Sequence, residues 1–200
     1  MKSVSKDVVL VAGAGQIGMA IARRIGHGKK IILGDKNTDN ANDIATLMKA
    51  AGFDADPVEM DLSSRESILA FIKKGQAFGE IKYLINAAGV SPSQASVETI
   101  LRVDLYGTAV LLEEVGKVIA SGGAGITISS QSGWRMKQLT PEEDRALATT
   151  PTEDLLSLEI LHVDSITDSL HAYQMAKRCP EKRVMYECIR WSNRGARLNA

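Results

Sequence analysis

Val8-Val9-Leu10-Val11-Ala12-Gly13-Ala14-Gly15-Gln16-Ile17-Gly18 decides the fold. An apolar run bounded by glycines is the pattern of a strand buried on both faces, and the residues after Gly15 take helical spacing. The turn between them is G-x-G-x-x-G. With 17 glycines in 200 residues the motif arises by chance about 0.1 times per chain, so its weight comes from its place between a strand and a helix. Glycines there let the backbone turn tightly and approach a pyrophosphate, while the amides that open the helix at Gln16 and Ile17 face the anion. Gly13, Gly15, Gln16, Ile17 and Gly18 are therefore candidate dinucleotide-binding residues.

Outward from this turn, β-branched runs alternate with helical stretches. Strands are expected at Asp7 to Ala12, Lys30 to Gly34, Ala55 to Met60, Ile81 to Asn86, Gly125 to Ser130 and Ala196 to Asn199. Helices are expected at Gln16 to Gly26, Asn40 to Ala51, Ser64 to Phe78 and Val97 to Ala120. Repeated βα units with right-handed crossovers give a doubly wound parallel sheet, a three-layer α/β/α Rossmann-like fold. A chain of 200 residues and 21.5 kDa is the size of one domain, here 1–200. One segment, 134–165, breaks the rhythm and reads as a helical insertion. Thr140-Pro141-Glu142-Glu143 and Thr150-Pro151-Thr152-Glu153 each carry the capping-box pattern with Pro at the first helical position.

Composition narrows the partners. Twenty-four basic residues balance 24 acidic ones, which gives no global reason to bind nucleic acid or an anionic membrane. The balance is uneven along the chain: between Trp134 and Leu170 eight acidic residues face three basic ones, and residues 171–200 carry seven basic and two acidic, faces expected to pair in part with each other. The N-terminus, Met1 to Asp7 before the short apolar run, lacks the pattern of a signal peptide or membrane span. Cys179 and Cys188, nine positions apart on one expected helix, are beyond disulfide reach and read as free thiols of a reducing, cytoplasmic compartment. His27, His162 and His171 lack metal-ligand spacing, so no metal is expected.

Asp35 closes the second strand 22 positions after Gly13, near the offset of about 20 at which a carboxylate accepts hydrogen bonds from an adenosine ribose. That favours NAD over NADP, whose 2′-phosphate would meet the same charge. Tyr173 and Lys177 stand four apart, as neighbours on one helix face, so the ammonium can stabilise a tyrosinate. Bringing a tyrosine from about 10 to near neutral pH takes about three units of charge stabilisation.

The chain resembles the short-chain dehydrogenase/reductase family from Val8 to Asn199. The resemblance rests on the Gly-rich turn, Asp35, Asp61-Leu62, Asn86-Ala87-Ala88-Gly89, Ser129-Ser130 and Tyr173-Gln174-Met175-Ala176-Lys177, six motifs in the family's order. It implies that Ser130 holds a substrate oxygen, Tyr173 exchanges its proton and Lys177 also grips the nicotinamide ribose. It further implies that Asp61 and Leu62 border the adenine and that Asn86, Ala87 and Gly89 line the cleft, where Asn86 could equally satisfy loop backbone. The implied activity is NAD-dependent hydride transfer to or from a small secondary alcohol or ketone, hydroxysteroid-like or otherwise lipophilic. A homodimer or homotetramer is implied through Val97 to Ala120 and the Tyr173 helix. A catalytically silent dinucleotide binder is the alternative; a methyltransferase would leave Asn86 to Gly89, Tyr173 and Lys177 without a role.

The sequence departs from the family in three places. Asp104 stands where relatives carry an asparagine that relays protons, and an ionised carboxylate cannot donate hydrogen bonds. Ser130 and Tyr173 are 43 positions apart, which suggests that 134–165 is a lid on the substrate side. Pro180 interrupts the helix just beyond Lys177, where it would kink the helix and misaim the ammonium. The chain also stops at Arg197-Leu198-Asn199-Ala200, before the family's seventh strand and substrate loop, so those parts read as missing from a fragment or truncated product.

Overall fold

The computed structural model describes residues 6–162 and 164–200; the N-terminal reading that uses Met1 to Ser5, and Val163 of the inserted segment, lie outside the described residues. Strand β1 (Lys6–Ala12) is followed by α1 (Gln16–Ile25), β2 (Lys30–Asp35), α2 (Thr38–Ala50), β3 (Asp54–Glu59), α3 (Arg65–Gln76) and β4 (Gly79–Asn86). The six strands, completed by β5 (Ala124–Thr127) and β6 (Arg197–Asn199), form one parallel sheet in the order β3-β2-β1-β4-β5-β6. The chain leaves β1 towards β2 and returns to its other side as β4. That reversal opens a crevice at the carboxyl ends of β1 and β4, where such sheets bind ligands.

Side-chain alternation along β1 builds both hydrophobic layers. Val8, Leu10 and Ala12 pack with Ile68, Phe71 and Leu84 on one face. Val9 and Val11 pack with Ala22, Ile31, Leu33 and Met48 on the other. A strand buried on both faces has no polar side, which is why its sequence is an unbroken apolar run.

The helix expected from Val97 to Ala120 is divided. An α-helical turn, α4 (Val97–Ile100), passes into a seven-residue π-helical stretch, Leu101–Gly107, and then into α5 (Thr108–Val118). Strand β5 also ends at Thr127, so Ser129 and Ser130 lie beyond it, and Ser130 caps a 3-10 turn, Gln131–Trp134.

The inserted segment is a strap on the helices. Thr140 forms both halves of its capping box with Glu143 and opens α6 (Pro141–Thr149). The second expected box does not form: Thr150 makes no cap, and a 3-10 turn, Thr152–Ser157, follows instead. The Thr152 hydroxyl donates to Glu113 at 2.6 Å, which takes it away from its own backbone. A further 3-10 turn, Glu159–Leu161, completes the strap. Leu147, Leu155, Leu161 and Ile166 are buried against Ile100, Leu101, Leu105 and Ala109 of the divided helix. They also meet Ala172, Met175, Ala176 and Cys179 of α7 (Ser169–Asn193). Asp144 takes both Arg178, at 2.9 and 2.6 Å, and Lys182, at 2.9 Å, which pairs the acidic segment with the basic one. The lid suggested by the spacing of Ser130 and Tyr173 is thus replaced by a segment pinned along its apolar side.

Helix α7 runs unbroken through Pro180. Proline leaves the Ala176 carbonyl without its helical donor. Pro180→Ala restores that donor, and we expect a melting temperature a few degrees higher, read by differential scanning calorimetry; an unchanged or lower value would count against strain at Pro180. Further along, Trp191 is fully buried, donates to the Leu112 carbonyl at 3.1 Å and lies on Gly125 of β5, where a Cβ would come within 2.5 Å of the indole. The indole thus fixes α7 to the sheet.

Candidate active site

The Gly-rich turn is held open by its neighbours. Gly13 has φ of +89°, and a Cβ there would fall 2.6 Å from the Ala88 nitrogen, so only glycine allows the β1 turn to lie against the loop after β4. The Gly13 amide donates to Gly34, and the Ala87 amide to Ala12, both at 2.8 Å, tying the two strand ends together. Gly15, by contrast, faces open space. It opens α1 without any side-chain cap, and the first amides of the helix remain available to an anion.

Asp35 braces this turn. One carboxylate oxygen accepts the Ala14 amide at 3.0 Å and the Asn40 side chain at 3.2 Å, and the other accepts the Asn37 amide at 2.9 Å. Asn40 also donates to the Ala14 carbonyl at 3.1 Å. Asn40 was not visible as a site residue from sequence, where it reads only as an early position of α2; its signal is two asparagines three apart at a helix start. Across the cleft, Asp61 accepts the Ser63 amide and hydroxyl at 2.9 and 2.6 Å and pairs with Lys36 at 2.8 Å. Burial would raise the Asp61 carboxyl, but Lys36 and Ser63 outweigh it and hold it below the usual carboxylate range.

A cavity of about 300 Å³ opens between these groups. Seven expected cofactor residues line it: Gly13, Gly15, Asp35, Asp61, Leu62, Ala87 and Gly89. Lys36, Met60, Ala88, Val90, Thr99 and Val103 join them. Thr99 and Val103, four apart on the divided helix, carried no motif that would mark them. Gln16, Ile17 and Gly18 do not line this cavity: the Gln16 and Ile17 side chains are exposed, and Gly18 packs against the Gly13 carbonyl. The Asn86 side chain is buried and donates to Thr108 at 3.2 Å and Thr127 at 3.1 Å, so it ties β4 to α5 and β5 instead of facing the cleft.

Three of the four expected catalytic residues, Tyr173, Lys177 and Asp104, come together where α7 packs on the π-helical stretch. Asp168 caps this helix by accepting the His171 amide at 2.8 Å. The Lys177 ammonium, nearly buried, lies 5.3 Å from the centre of the Tyr173 ring and 3.1 Å from an Asp104 oxygen. Pro180 therefore does not turn Lys177 away from Tyr173. The Ser130 hydroxyl accepts the Ser132 amide at 3.2 Å. Its neighbour Ser129 donates to the Lys177 carbonyl at 2.7 Å, which fastens the end of β5 to the helix that bears Tyr173. Burial pushes the Cys179 thiol up to about 12, so it remains protonated and inert; Cys179 and Cys188 are both free. Among the described residues no helix is long and apolar enough to cross a membrane, and no three His, Cys, Asp or Glu side chains converge on one point.

Residues 7–140 match the family model described as short chain dehydrogenase. The short-chain dehydrogenase/reductase bsc3 of Alternaria brassicicola is 36% identical over 198 residues, which cover 98% of this chain and 72% of that protein. The next curated relatives are matched over about half their length, 51% and 57%. Among solved structures, a short chain dehydrogenase from Mycobacterium smegmatis superposes with a TM-score of 0.73 at 20% identity, over 100% of this chain and 77% of that one. A 7α-hydroxysteroid dehydrogenase complexed with NADH and 7-oxo glycochenodeoxycholic acid gives 0.71 at 16% identity, over 96% and 68%. With the model match over most of the chain and a relative similar along nearly all of it, the protein belongs to the short-chain dehydrogenase/reductase family of NAD(P)-binding oxidoreductases.

Proposed function

We propose that this protein is an NAD-dependent oxidoreductase that interconverts a small secondary alcohol and its ketone, with Tyr173 as the proton-exchanging group. The observation that carries the reading is the placement of the buried Lys177 ammonium beside the Tyr173 ring, on the helix that Ser129 fastens to the end of β5. When bound, NAD takes up or gives the hydride at the carbinol carbon. In the oxidative direction Tyr173 receives the hydroxyl proton as that hydride leaves, and in reduction it returns a proton to the carbonyl oxygen. Ser130 supplies a hydroxyl for the same oxygen. Lys177 holds positive charge beside the phenol and offers donors to a nicotinamide ribose.

The cleft suits a dinucleotide. Uncapped amides at the start of α1 and the open space over Gly15 suit a pyrophosphate. Asp35 favours NAD, because its charge opposes a 2′-phosphate and the nearest cation, Lys36, is committed to Asp61. Gln16, Ile17, Gly18, Asn86, Tyr173 and Lys177 complete the proposed cofactor set, with Asn86 acting through the strand ends it joins.

The substrate class is a lipophilic, hydroxysteroid-like alcohol or ketone, with no nucleic acid or membrane partner, and two free thiols fit a cytoplasmic setting. Self-association as a homodimer or homotetramer would use surfaces other than the stretches of α4, the π-helical turn and α7 that the strap covers. Fluorescence titration tests the cofactor reading: NADH should bind at least tenfold more tightly than NADPH, and a panel of secondary alcohols should be oxidised with NAD. NADH binding without turnover of any alcohol or ketone would leave a silent dinucleotide binder, and equal affinity for NADPH would overturn the role of Asp35.

A further inference from the structure

Asp104 lies in the π-helical stretch with its side chain fully buried. One carboxylate oxygen accepts the Val90 amide at 2.8 Å. The other has the Lys177 ammonium 3.1 Å away and, among the described residues, no hydrogen-bond partner. Gly89 sits directly over the carboxylate, where a Cβ would come within 3.1 Å of it, so the pair lies beneath the loop that lines the cofactor cleft. A buried, singly bonded carboxylate aimed at the one ammonium beside Tyr173 is an expensive arrangement to keep without a role.

We propose that Asp104 is a positioning residue that acts as the counterion of Lys177: it fixes the ammonium and offsets its charge, so that Tyr173 holds its proton to a higher pH than Lys177 alone would allow. The proposal rests on the reading of Tyr173 as the proton-exchanging group. It makes the resting site a proton donor, suited to reduction of a carbonyl, and reserves alcohol oxidation for more alkaline conditions.

The other charges around Lys177 are committed elsewhere. On α7, Arg178 and Lys182 turn to Asp144, and Glu181 accepts Ser129 at 3.0 Å and the Trp134 indole at 2.8 Å. On the divided helix, Arg102 pairs with Glu98, and Tyr106 donates to Glu153, which also receives Arg65. No charged residue stands in the loop from Asn86 to Val90. Asp104 therefore faces Lys177 without a competitor from these elements. Burial raises the Asp104 carboxyl above the usual range, while Lys177 and the Val90 amide pull it back. At an effective dielectric of about 20, a charge within about 10 Å displaces a neighbouring titration by about one pH unit.

The test is a near-ultraviolet phenolate titration of the chain without cofactor, with the Tyr173 contribution isolated by difference from Tyr173→Phe among the four tyrosines. Asp104→Asn should move that contribution acid-ward by about one pH unit, and Lys177→Gln should move it alkaline-ward past an ordinary tyrosine. A merely structural Asp104 would leave the Tyr173 titration in place, and that result overturns the proposal. If Asp104→Asn does not fold, Asp104→Ser takes its place with the same acid-ward shift expected, and an unmoved Tyr173 titration there overturns the proposal too. Turnover retained in Tyr173→Phe would instead sink the functional reading, a separate result that the titration does not depend on.

Discussion

Tyr173→Phe should lower alcohol oxidation by about a thousandfold while NADH affinity stays within about threefold. Proton transfer by a positioned side chain contributes roughly 10²–10⁴-fold, and phenylalanine removes only the hydroxyl that transfers it. The ring survives, so its packing against the buried cluster shared by the divided helix, the strap and α7 survives with it, and folding should be unaffected. Binding of NADH depends on the cleft walls, from Gly13 and Gly15 to Asp35 and Asp61, none of which Tyr173 touches through its hydroxyl. Steady-state rates and fluorescence titration of the same preparation separate the two effects. A rate that falls by less than tenfold would mean that another group carries the proton, and Asp104, with its carboxyl raised by burial, would be the next candidate. Equal loss of NADH binding would mean instead that the main part of the Tyr173 hydroxyl in the proposed cofactor set is to hold the cofactor, not to move the proton.

The centre of the sheet was legible because β1, β2 and β4 are short, largely apolar and closed by a turn residue, so their unbroken apolar runs report burial on both faces. Asp35 and the glycines were legible for a different reason: their chemistry is tied to sequence offsets that a βα unit fixes. What the sequence hid lies in tertiary partners. Nothing local distinguishes the π-helical stretch from an ordinary helix; the groups packed on it, the Leu62 backbone at Gly107 and Gly89 at Asp104, are distant in sequence. Asn86 was placed in the cleft by its position in a motif, yet its amide is spent on Thr108 and Thr127, residues 22 and 41 positions away. The second capping box failed for the same reason. Glu153, the carboxylate that the box needs, is taken by Arg65 and Tyr106, and Thr152, bound to Arg183 and Glu113, helps hold the segment as a strap.

Arg183→Met should cost about 3 kcal/mol of stability, and with it about 10 °C of melting temperature for a chain of this size, the largest loss expected from any single side chain that holds the strap. Arg183 is 2% exposed. Its guanidinium donates to the Ala148 and Thr150 carbonyls at 2.8 Å each and to the Thr152 hydroxyl at 2.7 Å. That hydroxyl passes its own hydrogen to Glu113, so one polar chain joins α7, the strap and α5. Each bond to a charged group is worth about 1.5–3 kcal/mol, and methionine would leave two buried carbonyls unsatisfied, offset in part by the burial cost that the guanidinium no longer incurs. The same chain predicts acid sensitivity. Burial would raise the Glu113 carboxyl, but Thr152, Lys117 and Arg65 outweigh it and hold it at about 2, below its ordinary 4.5. Its contribution is therefore complete above the ordinary value and is lost as pH falls from there through about 2. Arg183→Met should flatten part of that acid dependence, since the strap would already be loosened, and should expose residues 141–161 to limited proteolysis. NADH affinity should remain as it was, because the strap lies on the helices and not across the cleft. An unchanged melting temperature would show that the leucines of the strap hold it without Arg183, and a parallel loss of NADH binding would show that the strap supports the cofactor cleft.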